Sequence, residues 1–392
     1  MSSIISVIRR KVGINDINER MVFALSFVLF LPILFDFITS VTHGNSSVYT
    51  YILYIATLAI TLFKFRNYIT QKNVLVLIAL YIVVGINYVV FPESIKYISS
   101  TQTTLMLVFF LPLAFLIFKN ITDWSSFVRI ASFFSLPAIL IGVYILLFTD
   151  VSSALRDDAL FTYMEFSYAL LPFVCLSFAR YYNSKNRLYL LLFAAGEAEM
   201  LAYGCRAALL YSILFVVLVE FMDYKRHKTQ LLLFGLVVVT IVLSFDTIIS
   251  YLVSVDLFSN SYFLKHLVSG ELLEHSSRVE IYDNCEKRLS TMGMDISGLF
   301  GDRAYCGSVY PHNIIYEILM QFGWILGSGI LLYYFVLLLK AVSYSDTRIV
   351  VLFFICCIFC KFLVSDSYLQ NGQFWIMTAC IISISKLKSL PQ

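Results

Sequence analysis

The sequence predicts an all-α, polytopic membrane protein forming one integral domain over residues 1–392, and three observations carry that expectation. Of 392 residues, 60% are hydrophobic and only 14% charged, against roughly 45–50% and about 25% in soluble chains. Apolar runs long enough to cross a bilayer recur along the whole chain. The basic residues between those runs crowd into every second connection. A mean hydropathy of +0.83, with 35 Phe and 26 Tyr, excludes a disordered chain and a disulfide-knit secreted scaffold. A net charge of +3 is too small to attract a polyanion, so no nucleic-acid partner is expected.

A spanning helix needs about 20 mostly apolar residues, because each adds ~1.5 Å across a hydrocarbon core of ~30 Å. Twelve such runs lie near 21–40, 48–63, 74–91, 101–118, 128–148, 163–182, 187–203, 207–222, 230–249, 314–339, 348–364 and 371–385. The first is long, follows a basic stretch and lacks a small-residue cleavage site, so it reads as an anchor and not as a cleavable signal. With a cytoplasmic N-terminus, the inner connections carry eighteen Lys and Arg, from Arg9, Arg10, Lys11 and Arg20 to Lys386 and Lys388. The short outer connections carry four: Lys96, Arg156, Arg206 and Lys361. Lys and Arg are retained on the cytoplasmic side, so this split supports an even number of spans, about twelve, with both termini inside. The large hydrophilic excursion at 250–313 then falls outside, between the ninth and tenth helices. No repeat relates the two halves, which counts against a transporter built from matched halves.

Cys356, Cys357 and Cys360 form a C-C-x-x-C run inside an apolar helix. With no His or Asp nearby they read as small buried residues, and no metal site is expected. Cys285 and Cys306 share the outer loop, where an oxidising compartment permits a disulfide that two cysteines alone do not establish.

Three places stand out against the apolar background. Tyr203-Gly204-Cys205-Arg206 lies at the turn between the seventh and eighth helices. There Arg206 can hold a phosphate or carboxylate by paired hydrogen bonds, or merely snorkel to the interface. Glu197 and Glu199 just before it are costly near membrane depth, and pair with Arg206, sit at the wet rim, or have a function. The second place is Ser276-Ser277-Arg278-Val279-Glu280. Ser277 followed by Glu280 is a capping box, so a helix is expected to start there. Arg278 then lies in its first turn beside unpaired N–H groups and the positive end of the dipole. Lys287 and Arg288 further on read as a solvated face. The third is Tyr310-Pro311-His312-Asn313, opening a helix that holds Glu317 and Gly323. Pro311 interrupts the chain, leaving His312 at the mouth of the tenth helix, where a histidine can take a proton near neutral pH. Glu317, one turn on, is placed to orient it or to bind sugar hydroxyls.

In order, these are an Arg before an Ala/Leu run, an outer loop with S-x-R-x-x-x-Y, a His-Asn pair, and a helix reading E-x-x-x-x-x-G-x-x-x-G. Together with twelve helices and a main loop between the ninth and tenth, this order resembles the bacterial O-antigen polymerase and O-antigen ligase superfamily (Wzy/WaaL-like proteins). The resemblance implies a GT-C-like glycosyltransferase of the inner membrane, active at the periplasmic face and needing neither nucleotide sugar nor cofactor. Its donor and acceptor are oligosaccharides on undecaprenyl diphosphate, and a chain-length regulator is an implied partner. Arg206 and Arg278 match the arginines that hold the diphosphate, and His312 matches the histidine that activates the acceptor hydroxyl. Glu317, Asn313, Tyr203 and Arg303 take supporting or sugar-binding parts. Ile314 stands where the ligase pattern has Asn, Ser or Gln, which favours a polymerase over a ligase. A transporter of lipid-linked sugars is the alternative from another class.

Overall fold

A computed structural model describes residues 16–42, 46–148, 163–222, 278–307 and 309–387, with isolated positions at 251, 254, 255 and 264. Among them every regular element is a helix and no strand occurs. Five helices are long and apolar enough to cross a membrane: Ile17–Ile38, Gln71–Val90, Thr101–Asn120, Phe127–Phe148 and Ile314–Val342. The protein is thus an α-helical membrane protein. Each apolar run read from the sequence carries a helix except 230–249, which lies outside the described residues. The chain divides into two compact units, one of residues 1–28, 51–126 and 276–392, the other of residues 29–50 and 127–275. Helices α1 (Ile17–Thr42) and α2 (Ser46–Phe65) contribute residues to both.

In the first unit α3 (Gln71–Val90) opens on Thr70, whose hydroxyl accepts the Asn73 N–H at 3.3 Å. This contact satisfies one of the donors that every helix start leaves open. α3 packs on α4 (Thr101–Asn120), where Asn73 Nδ2 donates to Asn120 Oδ1 at 2.7 Å. α4 widens into π-helical turns at Met106–Phe110 and Leu113–Ile117. Pro112 lies between them, and a proline supplies no N–H to the ladder and clashes with the preceding turn. The rest of the unit is α9 (Arg278–Thr291), α10 (Ile314–Val342), α11 (Arg348–Cys357), a 3-10 turn at Phe359–Leu363, and α12 (Gly372–Ile384). α10 touches α9, α11 and α12, and α12 closes on the end of α4.

The second unit is built on α6 (Tyr163–Ser184), which packs against α5 (Phe127–Phe148), α7 (Arg187–Tyr203) and α8 (Arg206–Met222). Gly196 of α7 lies so close to α6 that a Cβ there would meet Val174 Cγ2 at 2.4 Å. Gly204 ends α7 at φ 82°, and its N–H bonds Met200 O at 3.0 Å. Its left-handed conformation, which a glycine adopts without steric penalty, turns the chain straight into α8.

Candidate functional site

α10 begins as its sequence requires. Asn313 caps it, Oδ1 accepting the Ile315 N–H at 2.9 Å. His312, just before, is left-handed at φ 55°, a conformation uncommon for a residue with a Cβ. The other non-glycine residues with positive φ among those described are Lys185, Phe300 at 66° and Asp366 at 147°. Three of the four therefore lie in the first unit, in the segments that surround the head of α10. Strain of this kind costs about 1–3 kcal/mol per residue and gathers where function demands it.

Below His312 is a buried ionic cluster. Arg303, only 1% exposed, lies 3.4 Å from Asp302 Oδ2 and 3.6 Å from Glu317 Oε1. Its Nη2 donates to Ser367 Oγ at 2.9 Å, and Ser367 in turn donates to Glu317 Oε1 at 2.5 Å. Gln321 Nε2 donates to Asp302 Oδ1 at 2.6 Å, and the Tyr368 hydroxyl to Gln321 Oε1 at 2.5 Å. The cluster thus ties the turn at 301–304, one face of α10 and the segment 365–370 into one polar core. Desolvation pushes the Asp302 carboxyl above its ordinary range, against the pull of the adjacent guanidinium.

Above the cluster the Arg303 guanidinium lies 5.1 Å from the Tyr310 ring centroid, and that ring lies 4.3 Å from the His312 ring. Arg278, the first residue of α9, donates from Nη1 to Val364 O at 2.6 Å, so α9 is latched to the chain following α11. Lys361 pairs with Asp366 at 2.9 Å, and Asn371 Nδ2 donates to the same carboxylate at 2.6 Å. Burial first, then the charges of Arg278 and Arg303, push His312 down to about 4, with Asp366 opposing. The imidazole is therefore neutral at physiological pH, and its buried Nδ1 has no hydrogen-bond partner. Burial also pushes the Tyr310 hydroxyl up to about 12, so it remains a donor.

Chemically this is a neutral base with an unpaired ring nitrogen, held in the field of two cations. An anion bound beside Arg278 would offset that cation's repulsion and make the imidazole a better proton acceptor. Among the described residues no group of His, Cys, Asp and Glu could hold a metal ion.

The structure brings together Arg278, Arg303, His312, Asn313 and Glu317 from the sequence reading, with changes of part. Glu317 turns to Arg303 and Ser367, not to His312, because a fully buried carboxylate requires a cation and a donor. Arg303 is sealed from solvent and holds Asp302, Glu317 and Ser367. Asn313 is a helix cap. The helix expected at Arg278 begins there, while Ser277 lies outside the described residues. Tyr203 and Arg206 belong to the second unit. Arg206 is exposed at the head of α8, whereas Tyr203 is buried and stacked on Phe166 with ring centroids 3.9 Å apart. Glu199 is 1% exposed with neither oxygen hydrogen-bonded, so it does not sit at a wet rim. Asp302, Gln321, Asp366, Ser367 and Tyr368 escaped the sequence reading. Their signal was the polar run Ser365-Asp366-Ser367-Tyr368 between two apolar helices, and a glutamine inside a third.

One further feature shapes the site. Gly323 breaks α10 at φ 71° and ψ 173°, a combination open essentially to glycine alone. The carbonyls thereby freed are taken by the preceding loop. Ser297 Oγ donates to Met320 O at 2.5 Å, and the Gly298 N–H to Gln321 O at 3.0 Å. Asn87 of α3 grips that loop, accepting the Leu299 N–H at 2.6 Å.

Comparison with protein families, curated proteins and solved structures returns no match for this chain.

Proposed function

We propose that this protein is a membrane glycosyltransferase of the O-antigen polymerase kind, with about twelve spans and a GT-C-like fold. It moves a growing glycan from undecaprenyl diphosphate to another lipid-linked repeat unit at the periplasmic face of the bacterial inner membrane. The observation that carries the reading is His312. It is a strained, neutral imidazole with an unpaired Nδ1, at the head of a long apolar helix, in the field of Arg278 and Arg303. In the proposed reaction His312 accepts the proton of the acceptor hydroxyl. The hydroxyl oxygen attacks the anomeric carbon, and the bond to the diphosphate oxygen breaks. Arg278 stabilises the charge developing on that leaving oxygen, an effect worth a few kcal/mol in a water-poor site. Transfer to the lipid A core, the ligase reaction, uses the same groups with a different acceptor.

A second reading has one observation in its favour. A helix broken at Gly323, with its carbonyls capped by a loop, is a device that transporters place at their substrate sites. A transporter of lipid-linked sugars does not need a proton acceptor at His312, and that difference separates the two.

The test is complementation of a gene deletion with wild type, His312→Ala, Arg278→Ala and, separately, Arg206→Ala, with membrane levels matched. The readout is the lipopolysaccharide ladder. Core bearing a single repeat, with no ladder, in the His312 and Arg278 variants supports the polymerase. Bare core with accumulated lipid-linked polymer indicates the ligase. A full ladder from stably inserted His312→Ala refutes the enzymatic reading.

A further inference from the structure

Two side chains beside the site take no part in the proposed chemistry. Cys285 on α9 and Cys306, just past the 3-10 turn Gly301–Ala304, bring their Sγ atoms to 3.4 Å. Their exposures are 0% and 2%. They are enclosed by Leu289, Met292, Leu319 and Met320. In the folded unit the two thiols share a hydrogen bond, which lowers the pKa of Cys285 and raises that of Cys306. A disulfide bond is about 2.05 Å long, so roughly 1.4 Å of approach would close it.

We propose that Cys285 and Cys306 are the two ends of a disulfide that staples α9, and with it Arg278, to the turn carrying Asp302 and Arg303. The proposal rests on the reading that residues 250–313 face the oxidising side of the membrane. The oxidant is a protein with an exposed, reactive disulfide. The Cys285 thiolate attacks one sulfur of that disulfide, forming a mixed disulfide and releasing the donor's other sulfur as thiolate. The Cys306 thiolate then attacks Cys285 Sγ, closing the intramolecular bond and expelling the donor's remaining thiolate. Two electrons pass to the donor, whose two thiolates take up the two protons given off by the cysteines. Because both sulfurs are sealed in the folded unit, the exchange belongs to the interval before α9 docks on α10. Afterwards the bond is out of reach of soluble reductants.

The experiment counts thiols in the full-length protein. Membranes are denatured in detergent with a polyethylene-glycol maleimide, with or without prior reduction, and adducts are resolved as gel shifts. The chain has eight cysteines, so a single disulfide leaves six adducts without reductant and all eight after reduction. Cys285→Ser or Cys306→Ser then gives seven under both conditions. Five adducts from Cys285→Ser without reductant would assign the bond to other cysteines and overturn the proposal. Orientation is tested separately with Lys287→Cys, an exposed position on α9, and a membrane-impermeant maleimide on intact cells. Labelling from outside together with eight unreduced adducts in the wild type overturns the disulfide and leaves the topology standing. Labelling only after the cells are permeabilised overturns the topology, and the disulfide with it.

Discussion

Arg303→Met is the substitution that most directly probes the buried cluster. The side chain is sealed, and methionine fills much of the same volume without the charge. Its loss leaves Glu317 with Ser367 as its remaining donor, and Asp302 with Gln321. Removing one member of a buried ionic group costs about 3–5 kcal/mol, because the other charge stays behind without compensation. Glu317→Gln is milder, since Arg303 keeps Asp302 at 3.4 Å and Ser367. Its expected cost is about 1.5–3 kcal/mol, the worth of a hydrogen bond to a charged group. The decisive quantity is the double variant. If Glu317 is destabilising once its cation is gone, then Arg303→Met with Glu317→Gln is more stable than Arg303→Met alone, by about 1–3 kcal/mol. Unfolding in mixed detergent micelles, followed by tryptophan fluorescence, measures this. Two of the three tryptophans report from nearby, Trp324 donating to Leu289 O at 3.0 Å and Trp375 to Tyr368 O at 2.9 Å. Costs that simply add in the double variant would refute the coupling, and a single-variant loss below about 1 kcal/mol would refute the desolvation argument behind it.

Other outcomes follow from the same geometry. Burial and the nearby cations push His312 down to about 4 from an ordinary value of about 6.5, so protonation favours the unfolded chain. Its contribution is complete above pH 6.5 and declines as pH falls towards 4; His312→Gln should flatten that part of the stability–pH curve, and parallel curves for the two proteins would contradict it. Gly323→Ala places a Cβ 2.9 Å from Met294 O and 3.0 Å from Asp295 O in a conformation closed to alanine. It should cost at least about 1–3 kcal/mol, seen as a lower detergent-unfolding midpoint. Asn87→Ala leaves the Leu299 N–H unpaired in a buried position, an expected loss of about 1–3 kcal/mol. The same titration shows it, and unchanged stability would mean that the loop does not depend on α3.

Hydrophobic content made the helices legible, because a run of apolar residues has few other ways to satisfy its backbone in lipid. Gly204 and Arg206 marked the α7–α8 turn, and the Ser277–Glu280 spacing foretold a helix through Arg278. The cluster around Arg303 was hidden for a different reason. Gln321 is 19 positions from its partner Asp302 and Ser367 is 64 from Arg303, and both look ordinary where they stand; only tertiary packing makes them a set. Gly323 misled in the opposite sense. With Gly327 it reads only as part of one continuous helix, yet its φ and ψ end one helical segment and begin another. A glycine's one-letter symbol does not say whether close packing or an unusual torsion required it.

That torsion has a bearing on how the chain enters a bilayer. Gly323 separates nine residues, Ile314–Phe322, from nineteen, Trp324–Val342. Nineteen helical residues rise about 28 Å, close to the full hydrocarbon thickness. The longer piece can therefore cross alone, and it contains no carboxylate or carboxamide. Glu317 and Gln321, which a lipid-facing helix would carry at great cost, both lie in the shorter piece. An insertion machinery that weighs residues along a window would accept the longer piece as a complete stop. The shorter piece is then free to fold afterwards against its own upstream loop.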